Sequence, residues 1–96
     1  MRRQDLEKLH AEMTEHESTL KALQRAKRIG NFNRDPSLKR FIPIHHVVFL
    51  DFKDKVQALL AHVNSRNHSK KQLQLLFSRA QTLDTLWTIE LRHYFN

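Results

Sequence analysis

Cysteine is absent from the 96 residues. That excludes disulfides, thiolate-ligated zinc, iron–sulfur clusters and a thiol nucleophile. One glycine and two prolines leave little material for tight turns or sheet corners and favour long helices. A single glycine also leaves no phosphate-cradling loop and no nucleophile elbow. No apolar run approaches the roughly 18 residues that a bilayer span requires, and the first residues lead us to expect no signal peptide. The expectation is a soluble protein without a membrane partner, cytoplasmic or nucleoid-associated. At 11.5 kDa the chain accommodates one modest core, so residues 1–96 are read as a single domain.

Positive charge is plentiful. Seventeen Lys and Arg stand against ten Asp and Glu, a net +7 with His neutral. The excess is unevenly placed: residues 1–20 carry −2, residues 21–40 carry +6, and the remainder carries +3. Acids early and bases late on one helix complement its dipole. That leaves Arg34, Lys39 and Arg40 unexplained, because they extend the basic run past the expected helix end. Such a run is the footprint of a polyanion or an acidic partner surface.

The hydrophobic spacing predicts an all-α fold: a long N-terminal amphipathic helix and a compact bundle of about three shorter ones. Leu6, Leu9, Met13, His16, Leu20 and Leu23 recur at alternating spacings of three and four, the seam of a short coiled coil. With Gly30 as a C-cap, this helix spans roughly residues 3–29 within an N-terminal segment 1–29, and extends about 40 Å. A helix of that length exceeds a compact core, so the seam is expected to pair with a second copy as a dimer interface. Residues 30–41 read as a basic connector, with Asp35-Pro36-Ser37 as a turn and Phe32 and Phe41 as plugs onto the core.

Residues 42–96 read as the helical core. Within 42–63, Val48, Phe52, Val56, Leu59 and Val63 mark a stripe and predict a helix over 44–63. Residues 42–50 also fit a strand, but no second strand is visible to pair with it. Ser69 and Gln72 have the spacing of a capping box. Leu73, Leu76, Phe77 and Ala80 continue into Trp87, Leu91 and Tyr94, and Trp87 reads as a core anchor. Asp84 falls on the same stripe, so a break is expected at Thr82, giving helices over 70–81 and 83–95.

Seven histidines are scattered without metal-site spacing. Glu12 and His16 at i, i+4 are the nearest approach to a ligand pair, and no metal or other cofactor is expected. His45 or His46 with Asp51 or Asp54 is the only conceivable acid–base pair, and its spacing is generic. The chain therefore reads as a non-enzyme. The segment from Leu73 to Leu86, LQLLFSRAQTLDTL, resembles the start of the small bacterial nucleoid-associated haemolysin-expression modulators, which carry a similar R-x-Q-T-x-D-T-L string. The resemblance covers fourteen residues and implies a regulatory role.

Two functions follow from these residues. The first is a small basic regulatory or accessory protein that binds DNA or RNA through Arg25, Arg28, Arg34, Lys39, Arg40, Lys70 and Lys71. The second is an adaptor or inhibitor whose basic face docks on an acidic protein surface.

Overall fold

A computed structural model describes residues 2–28 and 36–95; the side chains of residues 27, 28, 36–39 and 93–95 are not described. Among the described residues the chain is all-helical, with α1 spanning Arg3–Arg28, α2 Pro36–His62 and α3 His68–Phe95. The helices have 26, 27 and 28 residues. The expected contrast between one long helix and three shorter ones therefore gives way to three of nearly equal length.

Helix α1 forms where it was expected. Its interior lacks glycine and proline, and Asp5 sits in the first turn, where a carboxylate meets the positive end of the dipole. Helix α2 starts eight residues earlier than the predicted 44, so residues 36–41 of the expected connector are helical and Pro43 lies inside the helix. Proline removes one N–H from the ladder and costs helical stability. Here it falls beside the most apolar stretch of the chain, and burial of Ile42 and Phe49 at 0% exposure offsets that cost. The strand alternative for 42–50 is thereby overturned.

Asn67, rather than Ser69, caps α3. Its Oδ1 accepts the Ser69 backbone N–H at 3.0 Å, the usual reach of an N-cap. The preceding turn is held by Asn64, whose Oδ1 accepts the Arg66 N–H at 3.2 Å and whose carbonyl accepts the Asn67 N–H at 3.0 Å. The break expected at Thr82 is absent. Thr82 Oγ1 donates to the Ser78 carbonyl at 3.2 Å, and Thr85 and Thr88 bond back four residues in the same way. The helix satisfies its own hydroxyls and continues through them.

The three helices run up, down and up. Residues lining the α1–α3 groove pair Leu6 and His10 with Ser69 and Gln72, and Lys21 and Gln24 with Thr82 and Leu86. Both numbers rise together, so α1 and α3 are parallel. Residues 5–12 of α1 share a groove with residues 55–63 at the end of α2, whereas His16 lies against the earlier Phe49 and Phe52, so α2 is antiparallel to α1. The molecule measures 50 × 21 × 17 Å.

One core runs along this axis. Leu6, Leu9, Met13, Leu20 and Leu23 of α1 join Ile42, Phe49, Phe52 and Val56 of α2, and Leu73, Leu76, Ala80, Leu83 and Trp87 of α3. The α1 seam, expected as a dimer interface, is thus buried within its own chain. Two more helices of matching length supply the cover expected of a second copy. His16 follows the same correction, with its ring centroid 5.6 Å from Phe49 and 5.3 Å from Phe52. Trp87 is fully buried, as expected of an anchor. Phe41 is not a plug: it is 40% exposed and lies against the His45 ring at 3.9 Å between centroids. Val48 is exposed and Phe49 takes its place in the core. Gly30 and Phe32 lie outside the described residues.

Candidate functional site

Two cations and a histidine tie the helices together. Lys53 Nζ donates to Asp84 Oδ2 at 2.7 Å, and His46 Nε2 lies 3.2 Å from Asp84 Oδ1. Asp84 is therefore tolerated on the inner stripe of α3 because α2 brings two partners to it. Burial pushes its carboxyl pKa up, but the hydrogen bonds from Lys53 and His46, reinforced by their charges, outweigh burial and hold it below the ordinary value. His46 pairs with Asp84, not with Asp51 or Asp54, and its ring lies 6.1 Å from that of Trp87. On the other side of α3, Arg79 Nη2 bonds Glu17 and Nη1 lies 3.4 Å from His10 Nδ1. These are ties between helices, made by residues far apart in sequence.

At the end where α1 finishes and α2 begins, the cations stand differently. Lys21 and Arg25 occupy the last turns of α1, Arg40 the second turn of α2, and Arg92 the last turns of α3. All four are exposed, and among the described residues none of them has a carboxylate partner. Arg25, Arg40 and Arg92 stand nearest this end, and Lys21 lies deeper, level with Thr82 and Leu86. Three of the four, Lys21, Arg25 and Arg40, belong to the +6 stretch of residues 21–40.

The predicted site is thus only partly brought together. Arg25 and Arg40 reach the same end. Arg34 lies outside the described residues, as do the side chains of Arg28 and Lys39. Lys70 and Lys71 begin α3 at the opposite end. Along parallel helices, Lys70 is level with the first turn of α1, some 19 residues or about 28 Å from Arg25. Lys70 and Lys71 therefore do not share a surface with Arg25. Arg92 was missed because only the parallel packing of α3 on α1 brings it to this end, and no local pattern marks it.

His16 is the other titratable group with a displaced equilibrium. Burial lowers its pKa below 6.5, the neighbouring His45 adds to that, and Glu12 and Glu15 oppose it. Glu12 and His16 gather no third ligand: among the described residues no three His, Asp or Glu side chains group closely enough to hold a metal ion. No helix among them is long and apolar enough to cross a membrane.

In comparisons with protein-family models, curated proteins and solved structures, nothing matches this chain. The likeness of Leu73–Leu86 to the nucleoid-associated modulators stays a likeness of one segment of α3. Its Asp84 and Arg79 serve here as ties between helices.

Proposed function

We propose that this protein is a small non-enzymatic helical module that binds nucleic acid through its electropositive end, with phosphates as the main contacts. The observation that carries this reading is the set of exposed cations Lys21, Arg25 and Arg92 in the last turns of α1 and α3, which lack carboxylate partners among the described residues. Lys53 and Arg79, by contrast, are engaged by Asp84 and Glu17. Arginine suits bidentate phosphate contact and lysine adds point charge. Interactions of this kind hold the backbone without reading bases, so binding is expected to depend on salt more than on sequence.

The test is a gel shift against duplex DNA, single strands and RNA at two salt concentrations. Changing Lys21, Arg25 and Arg92 together to Gln should weaken binding uniformly across sequences. The salt slope should fall by about one for every phosphate that a missing cation no longer neutralises. All three side chains are exposed, so the variant should fold. If the unmodified protein shows no binding at ~50 mM salt, where charge is least screened, the reading passes to the other complement of a basic end, an acidic protein surface.

A further inference from the structure

The outward face of α2 carries an apolar strip that the core does not use. Phe41, Ile44, Val47 and Val48 are 40, 61, 57 and 49% exposed. Exposed apolar clusters on a small domain mark contact surfaces more often than single exposed residues do. The centre line of this face reads Arg40, Ile44, Val47, Asp51, with spacings of four, three and four. That order is palindromic in spacing, and opposite charges stand at its two ends. Arg40 and Asp51 are both exposed, and neither has an ion-pair partner among the described residues.

We infer that this face is the interface of a homodimer, in which α2 packs antiparallel on α2 of a second copy. A two-fold axis makes residue i of one copy meet residue j of the other, and j meet i. Placing the axis between positions 45 and 46 sets Ile44 against Val47 of the second copy, and Arg40 against Asp51, twice over. The alternating spacing is that of a knobs-into-holes seam. Residues 36–55 of each helix overlap, about 30 Å of contact length. A parallel pairing instead sets Arg40 against Arg40 and Asp51 against Asp51, and like charges oppose it. The strip is therefore complementary to itself in one orientation, which identifies a second copy as its occupant. The dimer interface moves from the α1 seam, which the fold consumes, to α2.

The full chain, free of nucleic acid, is to be examined by sedimentation equilibrium up to ~100 µM, a range that captures micromolar association. The expected species has twice the 11.5 kDa protomer mass. Val47→Glu should yield a folded protomer, with helical circular dichroism unchanged because position 47 is exposed. Arg40→Asp and Asp51→Arg should each raise the dissociation constant about tenfold, since each turns two attractions into two repulsions. The combined Arg40→Asp, Asp51→Arg protein should return to within about threefold of the unmodified one, because the pairs are restored with their signs exchanged. A single protomer throughout the range overturns the inference. So does a dimer indifferent to Val47→Glu, or a charge exchange that fails to restore association.

Discussion

Asp84→Ala tests whether the tie between α2 and α3 contributes to stability. The carboxylate receives Lys53 at 2.7 Å and faces His46 at 3.2 Å, with side-chain exposures of 26% for Asp84, 21% for Lys53 and 16% for His46. A fully exposed ion pair contributes up to ~1 kcal/mol, and breaking a fully buried one costs about 3–5 kcal/mol. Charge-assisted hydrogen bonds at intermediate exposure lie between, near 2 kcal/mol. Alanine returns roughly 0.5 kcal/mol through helix propensity. The net expectation is therefore about 1.5 kcal/mol at neutral pH, a fall in melting temperature of roughly 6–12 °C for a domain of this size. Urea unfolding of Asp84→Ala, Lys53→Met and the double variant isolates the pair, whose coupling should exceed ~1 kcal/mol. The pH dependence has a definite sign. A carboxyl held below its ordinary value of 3.8 contributes fully above that value, and the contribution disappears as pH falls through the depressed one. The difference between parent and variant should then shrink in acid. A change under ~0.5 kcal/mol with no coupling would refute the reasoning.

Leu20→Glu, aimed at a residue only 2% exposed, should unfold the chain at a cost above about 3 kcal/mol. A folded variant with an unchanged melting temperature would return the α1 seam to the role of an oligomer interface. Trp87→Ala should cost about 3–5 kcal/mol, measured by denaturant unfolding; weakened nucleic-acid binding at unchanged stability would argue against an anchor. His16→Leu should gain stability relative to the parent as pH falls. A histidine whose folded pKa lies below 6.5 costs nothing above that value and destabilises progressively below it. Melting temperatures of both proteins from about pH 7 to about pH 5 should diverge toward acid, and parallel curves would contradict the effect of burial.

The stripe of α1 was legible because the residues flanking it are mostly charged or polar, leaving one phase for the periodicity. Leu6, Leu9, Met13, Leu20 and Leu23 are all buried, as spaced. In α2, apolar residues occupy more than one face between Phe41 and Leu50, so spacing alone could not choose Phe49 over Val48. Pro43 suits both a first helical turn and an edge strand, and packing of Ile42 and Phe49 places it inside a helix instead. The division of α3 at Thr82 failed for a tertiary reason: Asp84 is foreign to a stripe until Lys53 and His46 arrive from residues 31 and 38 positions away. The basic end was half legible. Charge density marked residues 21–40, but the membership of Arg92 and the separation of Lys70 and Lys71 depend on helix direction, which composition does not encode.

The up-down-up order also assigns the helices different parts in folding. Helices α2 and α3 are joined by residues 63–67 alone, so their pairing closes a short loop. Helix α1 reaches α3 only across the chain: Glu17 and Arg79 are 62 residues apart, and His10 and Arg79 are 69 apart. Loop-closure entropy rises with that separation, so the α2–α3 hairpin is expected to form early and α1 to dock afterwards. Run in reverse, release of α1 is the expected first cooperative opening of the native molecule. Amides of Leu9, Met13 and Leu20 should therefore exchange with solvent before those of Leu76 and Leu83, although all five side chains are similarly sheltered in the closed bundle.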